Sequence, residues 1–368
     1  MHVVFRESHG LEETETPTDL GQSPADLVVL SFSDSDLGAF AAGWHRAAGG
    51  LPTLRLANLV ALKHPLSVDT YVESTLAGAR GILIRLIGGE SYWPYGLAQV
   101  QDLARRRGIA LAVLPADGRE DPRLDQLSTL PVSTLRRLSQ LCDAGGAVAA
   151  QAALQQLALA AGLYAGPVAG DKAVPEFGFY RPGLGVAQPP QPGERPLVLV
   201  SFYRSYLTAA DTDPVDALVA ALDERGFEAV GVFAASLKDH AAAAWLQAEL
   251  ARLKPAAIVN ATAFSARGAN GEASALDTTG CPVFQVALST ARRKDWAASD
   301  RGLSPADLAM HVVLPEVDGR IFAGVVSFKQ PTKRDPDLQF SRFAHRADPS
   351  RVAAVADRVA GWHRLGAT

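Results

Sequence analysis

The sequence predicts an α/β protein made of two doubly wound, Rossmann- or flavodoxin-like domains with mostly parallel sheets. Three observations predict it. Short apolar runs alternate with amphipathic stretches, the order that builds βαβ units. The alternation occurs twice, on either side of a stretch dense in proline and glycine. The runs are apolar throughout instead of at every second residue, as expected of strands buried on both faces.

In the first half, Asp26–Phe32, Thr53–Leu59, Gly81–Ile87 and Ile109–Leu114 read as strands, each bounded by turn or capping residues. Asp36–Ala48, Leu66–Leu76 and Pro94–Arg107 between them have helical spacing. Pro94 suits a first helical turn and Gly108 the position after the last. Pro131–Ala161 reads as helical, and its alanine- and leucine-rich part, Ala147–Ala161, as a helix docked on the preceding domain. From Pro167 to Pro196 there are seven prolines, with Gly170, Gly178, Gly183, Gly185 and Gly193 among them, a stretch read as unable to sustain a helix or a central strand. Residues 166–196 are therefore expected to link a domain at 1–165 to a second at 197–345.

The second domain repeats the pattern. Leu197–Tyr203, Ala229–Phe233, Ala257–Asn260 and Pro282–Leu288 read as strands, and Pro214–Arg225 and Ala241–Leu253 as helices. Asp318-Gly319 reads as the turn of an antiparallel hairpin joining Val312–Leu314 to Ile321–Phe328. Residues 346–368 are expected to form a C-terminal amphipathic helix leading into further chain.

At 368 residues the chain has room for roughly two to three units, each with a real core, and 48 % hydrophobic with 20 % charged residues is an ordinary globular composition. A net charge of −4 and a pI near 6.1 give no positive field for nucleic acid. The one dense basic run, Arg105–Arg107, closes a helix, where cations complement the dipole. Cys142 and Cys281 stand too far apart for a metal or redox pair. Met1-His2-Val3-Val4-Phe5-Arg6 lacks the pattern of a secretory signal, and no segment reaches about 18 uninterrupted apolar residues, so a cytoplasmic protein off the membrane is expected.

Open parallel sheets bind ligands beyond the carboxyl ends of their strands, so residues directly after each apolar run carry the functional reading. Gly88-Gly89-Glu90-Ser91-Tyr92-Trp93-Pro94-Tyr95-Gly96 joins backbone-freeing glycines, a carboxylate and three aromatics, a composition suited to an extended flat ligand. Glu90, Trp93 and Tyr95 are the candidates there, Glu90 to accept a ring N–H or hold a cation; the plainer reading is that Trp93 and Tyr95 pack the helix start. Asn58 and His64 follow the second strand; His64 has the titration range to bind a metal or move a proton, or else serves as a turn residue. In the second half, Tyr203, Arg204, Asn260 and Thr262 end strands. Arg204 suits a two-pronged carboxylate contact, or a staple between domains. Asp34-Ser35-Asp36 and Asp211-Thr212-Asp213 read as helix caps. No phosphate loop, HExxH, GxSxG or GxGxxG motif is present, and neither catalytic residues nor a metal site is assigned.

Several segments resemble one family in one order. They are Asp19–Asp26, Leu56–Leu59, Leu62–Asp69, Gly88–Gly96, Phe202–Arg204, Ser236–Asp239, Asn260–Phe264 and Leu314–Arg320. Together they resemble the opening motifs of the CobN-type large subunit of aerobic cobaltochelatase, itself related to the H subunit of magnesium chelatase. One departure is His311, where the family pattern is expected to carry asparagine. The resemblance implies a subunit of a metal–nitrogen ligase that inserts Co2+ into hydrogenobyrinic acid a,c-diamide in cobalamin (vitamin B12) biosynthesis. It implies a corrin substrate, Co2+ as substrate of the full complex, and AAA-type ATPase partners of the CobS and CobT type that use ATP and Mg2+. The family's chains are several times longer, so the resemblance implies an N-terminal segment, inactive by itself, that contributes to tetrapyrrole holding. The alternative is a non-catalytic docking module for the ATPase subunits. Stripping water from Co2+, bending the ring and removing its N–H protons need an energy source, and this sequence holds no nucleotide motif to supply one.

Overall fold

The computed structural model of the chain describes residues 16–116, 120–191, 193–267, 273–300 and 302–366. Met1–Arg6, read above for a secretory signal, lies outside the described residues. The chain forms two compact units, Met1–Ala173 with Lys333–Arg342, and Val174–Thr332 with Phe343–Thr368.

Unit 1 follows the predicted order: β1 (Leu27–Ser31), α1 (Asp34–Arg46), β2 (Leu54–Asn58), α2 (Pro65–Ser74), β3 (Gly81–Leu86), α3 (Pro94–Arg107) and β4 (Ala110–Pro115). All four strands are parallel in the order β2-β1-β3-β4. Alternate residues of each strand enter opposite cores, Val28, Leu30, Ile82 and Ile84 on one face and Leu27, Val29 and Leu83 on the other, which is why the runs show no period of two. Gly108 ends α3 in the left-handed conformation at φ +67, where only glycine is free of a Cβ penalty.

The stretch Pro131–Ala161 is two helices. After α4 (Pro122–Leu127), α5 (Val132–Ala144) and α6 (Gly146–Ala160) are separated by Gly145 and Gly146, both at positive φ. α6 lies so close to α1 that a Cβ on Gly43 would stand 2.6 Å from the Gln151 amide nitrogen, which explains its run of alanines. Lys333–Arg342 completes this core: Leu338 and Phe340 pack into it, and Arg55 Nη1 and Gln22 Nε2 donate to the carbonyls of Asp337 and Gln339.

Unit 2 opens inside the stretch read as a linker, and that reading is corrected. β5 (Phe177–Arg181) and β6 (Gly185–Ala187) form an antiparallel hairpin, and β5 also pairs with the later strand Glu228–Ala234. Pro175 precedes β5 and Pro182 lies in the turn, so the prolines flank the ladder without interrupting it. Then follow β7 (Leu197–Tyr203), α7 (Arg204–Thr208), α8 (Asp213–Asp223), β8 (Glu228–Ala234), α9 (His240–Leu253), β9 (Ala257–Asn260) and β10 (Val283–Ser289). The rest is α10 (Arg293–Ala298), α11 (Pro305–Leu308), a π turn (Ala309–Val313), α12 (Leu314–Val317), β11 (Ile321–Pro331), β12 (Phe343–Ala347) and α13 (Pro349–Gly366).

The sheet runs β12-β11-β10-β9-β7-β8-β5-β6, parallel from β11 to β8 and antiparallel at both edges. The expected Val312–Leu314 hairpin is a second correction, since those residues are helical and β11 pairs parallel with β10. Pro315 sits in the first turn of α12 and Gly319 follows it at φ +75, so the Asp-Gly pair is a helix stop. His311 is buried within the π turn. Asp211 and Asp213 accept the backbone N–H groups of His345 and Ala347 and so fasten β12, while Ser33 is the residue that caps α1.

Candidate functional site

In each unit the strand order reverses beside the first of the parallel strands, β1 and β7, and this switch point, beyond the carboxyl ends, is where doubly wound sheets bind ligands. In unit 1 it lies between β1 and β3, and charge fills it. The Arg85 side chain, 4 % exposed, donates to Asp36 at 2.9 Å and to Asp143 at 2.7 Å, and Ser31 Oγ donates to Asp36 at 2.9 Å. Burial alone would lower the Arg85 pKa; Asp36, Cys142 and Asp143 outweigh it and hold the guanidinium charged.

The aromatic loop after β3 divides into an inner and an outer set. Trp93 is 4 % exposed, and its Nε1 donates to the Leu62 carbonyl at 2.7 Å. Its faces are packed in the core, so it offers no platform to a ligand, which corrects one expectation. Tyr92 is 62 % and Tyr95 41 % exposed, and Ile87, next to Gly88 in the chain, is exposed as well. The Tyr92 ring lies against Gly88, where a Cβ would come within 2.1 Å of it, and Gly88 and Gly89 hold φ of +85 and +81. Both glycines are therefore required by this loop. Tyr95 Oη donates to Asp69 at 2.8 Å, which with slight desolvation raises its pKa. Glu90 is exposed at the start of the same turn.

Asn58 and His64 take the plainer roles. Asn58 caps the short turn Leu59–Leu62 through the Val60 N–H and donates to Asp34 at 3.0 Å. His64 Nδ1 accepts the Leu66 N–H at 3.1 Å and caps α2. That bond fixes its ring as a cap.

In unit 2, Arg204 donates to the backbone carbonyls of Pro175 and Val174 at 2.9 and 2.7 Å, so its fork is already engaged in holding the chain that enters this unit. Asn260 and Thr262 are interior. Asn260 Oδ1 accepts from Ser201 Oγ at 2.6 Å and Thr262 Oγ1 at 2.8 Å, Asn260 Nδ2 donates to Gln285 at 2.7 Å, and Gln285 returns to the Thr262 carbonyl at 2.7 Å. The ring of bonds satisfies every member and ties β7, β9 and β10 together.

Of the predicted set, Tyr203 lies against a cavity. At the carboxyl ends of β7, β8 and β9 a space of about 260 Å³ is lined by Tyr203, the turn Ser236–Lys238 and the loop 263–266. Tyr203 Oη donates to the Ala263 carbonyl at 2.5 Å, and burial raises its phenol pKa. Sequence reasoning singled out Ser236–Asp239 and Asn260–Phe264 as family-like wording yet gave Lys238 and Phe264 no role; their convergence depends on strand order, which one segment at a time does not reveal. Among the described residues no group of three or more His, Cys, Asp or Glu side chains is arranged to hold a metal ion. No helix among them is long and apolar enough to cross a membrane.

Residues 142–368 match the CobN/Magnesium Chelatase family. The chain belongs to this family. It is 38 % identical to the aerobic cobaltochelatase subunit CobN of Sinorhizobium sp, over 98 % of this chain and 29 % of that protein. With the aerobic cobaltochelatase subunit CobN of Pseudomonas aeruginosa it shares 34 % identity, over 99 % of this chain and 30 % of that protein. The solved catalytic subunit of cobaltochelatase from Mycobacterium tuberculosis superposes with a TM-score of 0.71 at 26 % identity, covering 93 % of this chain and 27 % of that one. The chain thus spans under a third of the length of these CobN/Magnesium Chelatase relatives.

Proposed function

We propose that this chain serves as a segment of a CobN-type cobaltochelatase subunit and contributes to holding the tetrapyrrole while Co2+ is inserted into hydrogenobyrinic acid a,c-diamide. Energy comes from ATP and Mg2+ used by AAA-type partner subunits of the CobS and CobT type. Family membership supports the chemistry, and one observation carries the holding role. Tyr92, Tyr95 and Ile87 stay exposed in the segment that carries Gly88-Gly89-Glu90, although a folding core would gain by burying them.

Such a surface fits one face of a conjugated macrocycle. Glu90 stands at its edge as a carboxylate able to accept a pyrrolic N–H, and Trp93 acts from beneath as the anchor that fixes the loop. Titration of the chain with the corrin diamide, followed by tyrosine and tryptophan emission, tests the role. Each stacked ring contributes about 1 kcal/mol, so Tyr92→Ala should weaken binding about fivefold. Unchanged emission at saturating ligand would overturn it. A second reading, a docking module for the ATPase subunits, is favoured by exposed Val313, Leu314 and Val317 on one helical run of unit 2; capture of those subunits, lost in Val317→Asp, would select it.

A further inference from the structure

The unit 2 cavity has features that the flat-ligand role of unit 1 does not use. It lies where the strand order reverses, between the ends of β7 and β9, with the β8 turn as its third side. Its most unusual wall is Phe264. This residue holds φ +66, a left-handed conformation that a bulky side chain adopts only under constraint, and its ring is 43 % exposed.

The constraint is visible. Phe264 N–H donates to the Met310 carbonyl at 2.7 Å, and the next two residues are held on the Asp318 carboxylate, Ser265 Oγ and Ala266 N–H each at 2.6 Å. An aromatic ring kept at the surface by a strained backbone adds little to folding. Strain retained in this way points to binding.

Charge and size narrow the ligand. Among the described residues Lys238 is the only charged one lining the cavity, and its backbone is fixed by a bond from its N–H to Ser236 Oγ at 3.1 Å. The negative charge behind the wall, Asp318, is spent on Ser265, Ala266 and, at 3.9 Å, Arg267. A volume of about 260 Å³ holds roughly nine waters at their liquid share of about 30 Å³. That is room for one small ring or a short arm, and far too little for a tetrapyrrole.

We propose that this cavity binds a carboxylate borne on a short apolar body, with the acid group on Lys238 and the apolar part between Phe264 and Tyr203. The acid has two possible sources, a free small carboxylate or a carboxylate-bearing arm at the edge of the macrocycle; the second rests on the tetrapyrrole-holding reading, the first does not.

The test uses the whole chain, amide resonances of residues 236–238 and 263–266, and two probes, 3-phenylpropionate and its uncharged amide. The expected result is saturable shifts confined to these segments with the acid, about tenfold weaker binding in Lys238→Met, and no gain for the acid over the amide in that variant. Phe264→Gly should raise the melting temperature, because glycine relieves the left-handed strain, while weakening the acid at least fivefold. A wall with only a structural role would not move the two in opposite directions. Competition by the corrin diamide, abolished by Lys238→Met but not by Tyr92→Ala, identifies the macrocycle arm as the source. Acid binding without competition identifies a free carboxylate. If neither probe shifts these amides at millimolar concentration and Lys238→Met leaves corrin binding unchanged, the cavity proposal is overturned, even where corrin binding sensitive to Tyr92→Ala upholds the tetrapyrrole reading.

Discussion

Replacing Gly96 by alanine should reverse the sign of its effect when Trp93 is removed. A Cβ built on Gly96 lies 2.0 Å from Trp93 Cε2 and 2.2 Å from Cζ2. The indole has no easy escape, being buried and fixed to the Leu62 carbonyl at 2.7 Å. Overpacking of this kind costs about 1–3 kcal/mol, and a ring pushed off its acceptor adds about 1 kcal/mol. Gly96→Ala alone should therefore destabilise unit 1 by about 2–4 kcal/mol. In a Trp93→Leu background the obstacle is gone, and alanine in the first turns of α3 should stabilise by up to about 1 kcal/mol through helix propensity. The coupling between the sites is then about 3–5 kcal/mol. Hydrogen exchange of the β3 amides, Gly81–Leu86, reports opening of this unit free of unfolding in the other. A Gly96→Ala penalty that agrees in both backgrounds to within about 0.5 kcal/mol would refute the placement of Trp93 as a packed anchor.

Two other outcomes follow from the geometry of unit 2. Burial alone would raise the Asp348 pKa, but bonds from Arg293 Nε at 2.6 Å, Ser350 Oγ at 2.7 Å and the Arg351 N–H at 3.3 Å outweigh it and hold the carboxyl below its usual value. Its contribution is thus complete above the unfolded value of about 3.9 and is lost as pH falls through the lower folded value; urea midpoints between pH 5 and 2 should fall less steeply in Asp348→Asn than in the parent. Asn260→Ala removes the acceptor shared by Ser201 and Thr262 and the donor to Gln285; it should cost about 2–4 kcal/mol in urea unfolding and leave corrin affinity unchanged in the folded protein.

The parallel cores were legible because burial on both faces writes itself as unbroken apolar runs, and the helix ends because Pro94 and Gly108 carry their own geometry. Phe177–Ala187 was not. Proline density averaged over a window hides the few proline-free residues that an edge hairpin needs, and the partner that stabilises β5 lies about fifty residues on, at β8. Asp318-Gly319 failed differently: glycine at positive φ serves both a hairpin turn and a helix stop, and only the helix before it decides. Site residues were harder still. His64 and Asn58 stand where ligand groups stand in such sheets, yet the same position lets a side chain cap the next turn, and the cap is the shorter reach.

The two switch points show how little sequence separates a filled crevice from an open one. In the first unit Ser31 pairs in register with Arg85; in the second Ser201 pairs in register with Asn260. The registers correspond: each serine sits on the first of its unit's parallel strands, and each partner on the strand across the switch point. Arginine brings a long charged fork that must be neutralised, so Asp36 and Asp143 close over it and the crevice is occupied by protein. Asparagine is short and neutral, bonds sideways to Gln285 within the sheet, and needs no counter-charge from above. A cavity at the strand ends is then left for Lys238 and Phe264 to line. Ligand capacity at a doubly wound sheet thus depends on whether the switch-point residue is satisfied within the sheet or draws its partners over the rim.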